Sequence, residues 1–433
     1  MLRRTFCRVA ACCMLLLTIF ACSNFGSPTT IVKNELIQGK SAGSYQEVRH
    51  IVLRGTNQEI GRAIAQISND YYQAQTLSFE SLQYKSSRDS YIRQHFPALA
   101  ERRKGIDNFY GWGQSDLHDS SALWYDMQPV ACSAIFFPNT VTASGHSFQA
   151  RNMDFLVVDM WQYLTGKVGQ GNKLFSRNFV METYPQDGGY ATLVVGSFDL
   201  LNGAYDGFNE YGLSISGLVD HNLKYKTKDK TVDQTVPLSE IEQQEGLNYL
   251  QMARAILEGA RTIDEAKNLV STLKVYFPVA GMHFLIGDRS GKSMVLEFSE
   301  DDLSPRFIPQ SSDSPAIMTN HSVYYYPTID KVIPEVDKNT AYDTFYRYLR
   351  LYDYLQASAF HKYTTDDGLY AMSLVYGFAN DVSEGTYTLP MRTLWSLVMD
   401  VDDLSLKIRF YTVDDNTLKT PVFTEAYTFR LQK

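Results

Sequence analysis

Residues 131–155 read ACSAIFFPNTVTASGHSFQARNMDF and carry the clearest structural pattern of the chain. Two largely apolar runs flank a polar turn that contains glycine, a pattern typical of a β-hairpin. Reflection about the middle of that turn places Cys132 opposite residue 153, so Arg151 and Asp154 return to the neighbourhood of the thiol. A nearby guanidinium stabilises a thiolate, and a nearby carboxylate can orient an amine or an imidazole. A surface Arg–Asp pair at a strand end is the alternative that this pattern leaves open.

Cysteine usage points to an exported chain with one free thiol. Residues 1–21 combine three arginines with a short apolar run and hold three of the five cysteines, which predicts a lipoprotein signal peptide cut before Cys22. Cys22 would carry lipid, residues 22–48 would form an anchor and tether, and this bacterial lipoprotein would sit on the outer-membrane or periplasmic side. An ordinary signal peptide with a chance cysteine is the alternative. Cys132 then remains as the free thiol, either reactive or buried and inert.

Composition narrows the class of protein. The 433 residues are 44% hydrophobic and 20% charged, which fits a globular chain. The formal net charge of −8 argues against nucleic acid as the main partner, because no basic excess could neutralise phosphates. The sequence contains no dinucleotide, phosphate-loop or metal-ligand motif, so no cofactor and no metal site are predicted.

The periodicity of the chain predicts the α+β class. Two regions are predicted to be helical: residues 55–85, where Thr56 and Glu59 form a capping-box pattern, and residues 239–273, with a break at Gly259. Short strands are predicted at 133–138, 146–151, 190–198, 212–219, 282–287, 293–298, 394–400 and 404–412. Turn residues at 287–291 join the strands 282–287 and 293–298 as a hairpin, and those at 401–403 join 394–400 and 404–412. Antiparallel hairpins with helices in separate blocks are typical of α+β proteins.

Further segments extend the pattern over most of the chain. They occur in order at residues 53–61, 206–213, 283–297, 318–321 and 393–396. With Cys132 and the Arg-Asn-Met-Asp segment that follows it, they resemble the linear amide C–N hydrolases of the N-terminal nucleophile (Ntn) superfamily. That group includes choloylglycine (bile-salt) hydrolases, penicillin acylases, acid ceramidase-like amidases and acyl-CoA:6-aminopenicillanic acid acyltransferases. The resemblance implies a four-layer αββα sandwich of two antiparallel sheets flanked by helices, and an amidase acting on a small N-acyl amide with an apolar acyl group.

The resemblance also implies self-cleavage between Ala131 and Cys132. Attack of the thiol on the Ala131 carbonyl, followed by hydrolysis, would free the α-amine of Cys132. Such an amine has an ordinary pKa of about 7.7–8.0, against about 8.5 for a thiol, so it can act as the general base for its own nucleophile. Residues 49–131 would be an N-terminal helical, propeptide-like segment and residues 132–433 the Ntn catalytic domain. The two chains are expected to stay associated, and homo-oligomerisation is left open.

Matched residue by residue, the resemblance assigns five further catalytic roles. Arg151 matches the arginine beside the thiol, and Asp154 matches the aspartate that holds the α-amine. Asn209 is expected to donate to the oxyanion. Asn320 is expected to position the amine and the intermediate, and Arg347 is the expected late arginine.

Three alternatives remain open from the residues alone. Arg350 and Arg392 are rivals for the late arginine. The chain could be a non-catalytic, ligand-binding surface lipoprotein, in which Cys132 would be inert and the chain would stay uncut. It could also be a papain-like cysteine peptidase or acyltransferase, for which one of four histidines would have to approach the thiol: His146, His221, His283 or His321.

Overall fold

The computed structural model describes residues 30–39, 44–72, 76–78, 81–123, 131–169, 173–197, 203–223, 226–227, 230–231, 246–277, 281–337, 343–358, 360–384 and 387–432. The predicted signal peptide and Cys22 lie outside these residues, as do residues 239–245 of the second predicted helical region. Among the described helices, none combines the length and apolar character needed to cross a membrane.

One sheet contains nine described strands and begins in the N-terminal segment. Their spatial order is β1 (Ile31–Gln38), β2 (Glu47–Gly55), β7 (Arg177–Pro185), β8 (Thr192–Ser197), β9 (Asp206–Asn209), β10 (Ser214–Val219), β15 (Met282–Gly287), β16 (Ser293–Phe298) and β17 (Pro305–Pro309). Neighbouring strands are antiparallel except β2 and β7, which run parallel. A short hairpin enforces an antiparallel pair, whereas β2 and β7 are far apart in the chain and are free to pair either way.

The second sheet carries the predicted hairpin. Its order is β18 (Ala316–Met318), β5 (Ala131–Phe137), β6 (Phe148–Leu156), β20 (Tyr387–Asp400), β21 (Ser405–Asp415) and β22 (Thr420–Phe423), with β19 (Phe378–Glu384) beside β20 and β23 (Tyr427–Arg430) beside β21. Three small pairs complete the strands: β3 (Thr76–Ser78) with β4 (His118–Leu123), β11 (Lys226–Thr227) with β12 (Lys230–Thr231), and β13 (Leu247–Asn248) with β14 (Val275–Tyr276). The predicted hairpins β15–β16 and β20–β21 are confirmed.

The helices lie outside the two sheets. They are α1 (Asn57–Ile67), α2 (Leu82–His95), α3 (Pro97–Tyr110), α4 (Met160–Thr165), α5 (Tyr249–Gly259), α6 (Ile263–Val270), α7 (Ile329–Val332), α8 (Thr344–Ala357) and α9 (Thr365–Ser373). The capping box of Thr56 and Glu59 is confirmed at the start of α1, and so is the break at Gly259. The single helix predicted over residues 55–85 was wrong, because α1 ends in a π-helical turn at Ser68–Tyr72 and α2 begins only after β3.

Three hydrophobic cores divide the described chain into four layers. The inter-sheet core, with Phe136, Phe208 and Trp395, fills the space between the two sheets. A second core joins the outer face of the nine-stranded sheet to α1, α3, α5 and α6, with Leu257 among its residues. A third core joins the outer face of the other sheet to α8 and α9, with Leu351 among its residues. The order helix, sheet, sheet, helix confirms the predicted four-layer α+β fold.

The register of β5 against β6 matches the prediction from the sequence. Cys132 pairs with Met153, and Ala134 pairs with Arg151. Every residue of both strands is buried. Because side chains alternate between the faces of a sheet, Cys132 and Met153 belong to the inter-sheet core, whereas Ile135 faces α8 and α9. The hairpin therefore points the thiol into the space between the sheets.

Candidate active site

Cys132 lies at the start of an interior strand, with 1% of its surface exposed. Its backbone N–H donates to Asn320 Oδ1 at 2.7 Å. Its Sγ lies 3.4 Å from Arg151 Nη2 and 3.7 Å from Met153 Sδ. The sulfur and the backbone nitrogen of one residue therefore each have a defined neighbour.

Arg151 is fixed beside the thiol by a carboxylate that the sequence did not single out. Arg151 Nη1 donates to Asp206 Oδ2 at 2.8 Å, and neither side chain has exposed surface. Trp395 Nε1 donates to the same oxygen at 3.1 Å, and its ring lies 5.4 Å from the guanidinium carbon. Asp206 begins the predicted 206–213 motif, so the motif was the available signal. A carboxylate that holds the arginine also compensates a charge that would be costly to bury alone.

Asp154 approaches the same strand end from the opposite face of the sheet. Thr393 Oγ1 donates to Asp154 Oδ1 at 2.5 Å, and the Asp154 side chain is fully buried. Burial raises the pKa of this carboxyl, while the charge of Arg347 opposes the rise. Asp154 pairs in register with Ala131, which puts its carboxylate next to the predicted cleavage position.

Arg347 joins the site from α8. Its Nη1 donates to the Cys132 carbonyl oxygen and, at 2.8 Å, to Ser133 Oγ. Its Nη2 donates to Asn320 Oδ1 at 2.7 Å. Asn320 Nδ2 in turn donates to the Val219 carbonyl at 2.8 Å, so the amide is held from both ends.

The two rival arginines lie elsewhere. Arg350 is exposed and donates to Tyr346 Oη at 3.3 Å. Arg392 forms two hydrogen bonds of 2.6 and 2.7 Å with the Asp414 carboxylate. Of the three candidates, the structure brings Arg347 to the thiol-bearing residue.

Comparison with known proteins identifies the family. The model of the family described as acyl-coenzyme A:6-aminopenicillanic acid acyl-transferase matches residues 142–410, which is more than half of the chain. The chain belongs to this family. No curated protein matches it. Two variants of the conjugated bile acid hydrolase from Clostridium perfringens are among the similar solved structures, each 14% identical, covering 70% of this chain and 97% and 99% of theirs, with TM-scores of 0.43 and 0.44. Penicillin V acylase from Agrobacterium tumefaciens is 16% identical and covers 64% of this chain and 82% of its own, with a TM-score of 0.42.

In this member of the acyltransferase family, the hydrogen bonds of Asn209 lie outside the cluster around Cys132, and its oxyanion role stays a prediction. Asn209 Nδ2 donates to the carbonyls of Leu257 and Ala260, each at 2.7 Å. Its Oδ1 accepts from the backbone N–H groups of Tyr211 and Leu213. Alternation along β9 explains the difference, since Asp206 faces the inter-sheet space and a side chain three positions later faces the helices. Asn209 therefore closes the turn after β9 and ties it to α5.

Burial and charge oppose each other at the thiol of this family member. Burial raises the pKa of Cys132, and the neighbouring Arg151 guanidinium is the main influence that lowers it. The Asp154 carboxylate raises the pKa further, while the Asp154 backbone N–H donates to the sulfur and lowers it. In the uncut chain the thiol is therefore held mainly protonated, with a cation in place to stabilise the thiolate when a base removes the proton.

Three of the four candidate histidines make other contacts. His146 Nδ1 lies 3.1 Å from Asp400 Oδ2, and His321 Nδ1 lies 3.1 Å from Thr344 Oγ1. His283 belongs to a buried group whose ligand-type atoms lie within 4.8 Å of one another, formed by Asp220, His283 and Glu297. Among the described residues this is the group whose spacing could hold a metal ion.

Proposed function

We propose that this chain is an N-acyl amidase of the Ntn class, which forms a thioester on Cys132 after self-cleavage between Ala131 and Cys132. Membership of the acyltransferase family supports an amide-cleaving enzyme of this class at a general level. The observation that carries the finer proposal is the pair of contacts at Cys132. Its nitrogen donates to Asn320 Oδ1, and its sulfur lies beside Arg151 Nη2. A nucleophile that supplies its own base needs both atoms to be held.

Self-cleavage is proposed to proceed within the strand end. Cys132 Sγ attacks the Ala131 carbonyl carbon, the C–N bond breaks, and a thioester to Ala131 forms. The departing nitrogen takes the thiol proton and becomes the α-amine. Water then cleaves the thioester, which leaves a carboxylate on Ala131 and regenerates the thiol.

Turnover is proposed to use the same groups. The α-amine accepts the thiol proton while Asn320 Oδ1 accepts a hydrogen from that amine, which keeps the amine lone pair directed away from Asn320. Arg151 stabilises the thiolate, and the sulfur attacks the acyl carbonyl of the substrate. The leaving amine takes the proton from the α-amine, and water hydrolyses the resulting thioester. Asp154 and Arg347 supply compensating charges around the Cys132 backbone.

An apolar acyl group is proposed from the surroundings of the thiol. Trp395 lies beside Arg151, and its ring centroid is 6.3 Å from that of Phe175. Phe175 contacts Phe155 and Tyr205 at centroid distances of 4.3 and 5.5 Å. These rings lie buried or half-buried on the same side of the sheet as the thiol, and their apolar character favours an aliphatic or aromatic acyl chain over a charged one.

Export and lipid anchoring are proposed from residues 1–22 alone. Signal-peptide removal before Cys22 would leave about eight residues, 23–30, between the lipid-bearing Cys22 and β1 (Ile31–Gln38), so the catalytic fold would lie close to the membrane surface. Metabolic labelling with a fatty acid tests this. The wild type should carry the label and fractionate with membranes, whereas Cys22→Ala should lack the label and stay out of the membrane fraction.

A panel of N-acyl amides tests the amidase proposal. Full-length protein is incubated with amides that share one chromogenic amine and differ in acyl chain length and aromatic content. The intact mass of the protein is then measured by mass spectrometry in acid-quenched samples. We expect amine release and a mass increase of one acyl group on the fragment that begins at Cys132. Cys132→Ala should lose both signals, whereas Cys22→Ala, the matched loss of another thiol, should keep both. Hydrolysis that persists in Cys132→Ala would refute the thioester, and an uncut wild type inert to every amide would favour the binding lipoprotein.

A further inference from the structure

The Glu297 carboxylate organises the turn that follows Asn320. Ser322 Oγ donates to Glu297 Oε2 at 2.6 Å, and the backbone N–H groups of Val323 and Tyr324 donate to its two oxygens at 2.5 and 3.2 Å. Glu297 is 1% exposed. Three donors from three consecutive residues converge on one buried carboxylate, which fixes the path of the chain at this point.

His283 and Asp220 complete a buried charge cluster around this carboxylate. His283 Nδ1 lies 3.4 Å from Glu297 Oε1, and all three side chains are buried. Burial raises the pKa of Glu297, but the hydrogen bond and charge of His283 outweigh it and hold the pKa below its usual value. Both Glu297 oxygens accept hydrogen bonds from the turn, so a charged carboxylate at this position is matched by donors on either oxygen.

The turn connects directly to the nitrogen of the proposed nucleophile. Asn320 lies two residues before Ser322, its backbone N–H donates to Thr344 Oγ1 at 2.8 Å, and its carbonyl accepts from the His221 N–H at 2.8 Å. Asn320 Oδ1 then receives the Cys132 N–H. Thr344 holds the backbone at Asn320 and His321, and Glu297 holds the turn that follows them.

We propose that Glu297, supported by His283, is a positioning residue that acts through the 322–324 turn to hold Asn320 against the Cys132 nitrogen. Neither side chain touches the thiol in this assignment. The structural part stands on the hydrogen bonds alone, whereas its effect on turnover rests on the proposed amidase function. Aligning the base nitrogen is a step where small displacements are costly, since a shift of about 1 Å in a reacting group can cost about 100-fold in rate.

Glu297→Gln is the test variant, and Glu182→Gln is its matched control. A glutamine at 297 turns one acceptor oxygen into an NH₂ group that faces donors of the turn. Glu182 is an equally buried carboxylate five strands away in the same sheet, where it contacts His50 Nε2 at 2.7 Å and accepts from Tyr184 Oη at 2.6 Å. We expect Glu297→Gln to lower kcat about 10- to 100-fold with KM changed less than about threefold. Glu182→Gln should leave kcat within about twofold of the wild type, because it shares no contact with Asn320.

Hydrogen exchange supplies a readout that needs no activity. In the Cys132→Ala background the chain stays uncut, and the N–H of residue 132 still faces Asn320. Adding Glu297→Gln should speed exchange at residue 132 and at residues 319–325 by about tenfold or more, while Glu182→Gln should leave both peptides unchanged. If wild-type protein neither cleaves itself nor hydrolyses amides, the amidase proposal fails, and the exchange experiment still decides the positioning role.

Two outcomes would overturn the positioning proposal. The first is exchange and kcat in Glu297→Gln that match those of Glu182→Gln. The second is a stoichiometric divalent cation in purified full-length protein, measured by inductively coupled plasma mass spectrometry, whose removal by a chelator reproduces the Glu297→Gln effect. In that case the cluster would act as a metal site and not as a carboxylate clamp.

Discussion

The buried pair of Arg151 and Asp206 allows fold stability and thiol chemistry to be separated with two substitutions. Arg151→Met removes the guanidinium from Cys132 and leaves the Asp206 carboxylate buried without its cation. Adding Asp206→Asn removes the remaining charge and keeps an oxygen that can accept from Trp395 Nε1. The two variants therefore differ in buried charge but share the loss of the cation at the sulfur.

The expected magnitudes follow from the complete burial of the pair. Breaking a buried ion pair by removing one partner costs about 3–5 kcal/mol, so Arg151→Met should lower the free energy of unfolding by about 4 kcal/mol. The double variant should lose only about 1–2 kcal/mol, because no uncompensated charge remains. Self-cleavage should slow by about tenfold or more in both variants, because loss of an adjacent cation lowers the thiolate fraction at fixed pH.

Two assays separate these effects. Urea unfolding in the Cys132→Ala background gives stabilities on a single uncut chain, and a time course of intact masses in the native background gives cleavage rates. Recovery of the cleavage rate together with stability in the double variant would mean that Arg151 acts only through the fold. A loss below about 1 kcal/mol for Arg151→Met would show that the Asp206 carboxylate can stay buried without its cation at little cost.

Three further predictions concern the same region and its support. Asn320→Ala should lower turnover by about 100-fold, since the base nitrogen loses its acceptor. Steady-state kinetics on the processed protein measure this, and an unchanged rate would mean that the contact is incidental. The two products of cleavage should elute together in size-exclusion chromatography and separate only in denaturant. The reason is that β1, β2 and the Arg102–Glu258 ion pair of 2.6 Å join the N-terminal segment to the rest of the chain. Elution as two species would contradict this. Burial lowers the pKa of His283, but the hydrogen bond to Glu297 and the charge of Asp220 outweigh burial, so the pKa is raised. The stabilisation that His283 provides should therefore be full below about pH 6.5 and should be lost as the pH rises through the raised pKa. The melting temperature of the wild type minus that of His283→Asn, taken from pH 5.5 to 9, should therefore shrink with pH, and a constant difference would contradict the assignment.

Local pattern was sufficient to predict the hairpin that carries the nucleophile. The two strands of a hairpin pair symmetrically about its turn, so the sequence alone places Cys132 opposite residue 153, and the structure pairs it with Met153. The same reasoning placed Arg151 beside the thiol. Capping chemistry likewise identified the start of α1 at Thr56.

The sequence did not predict which side chains of the 206–213 motif face the space between the two sheets. The 206–213 motif was recognised, but a shift of one residue reverses which side chains face the inter-sheet space. Asp206 therefore supplies the contact to Arg151, and Asn209 closes a turn on the other face. The parallel pairing of β2 with β7 was also unpredicted, because contacts between distant segments depend on tertiary packing and not on turn residues.

The proposed mechanism requires Cys132 to become a chain terminus. The decisive measurement is the intact mass, under denaturing and reducing conditions, of purified full-length protein beside its Cys132→Ala variant. We expect two fragments in the wild type, the larger comprising residues 132–433, and one uncut chain in the variant. Wild-type protein that hydrolyses N-acyl amides while remaining a single chain, or a variant that is cut at the same bond, would contradict the proposed mechanism.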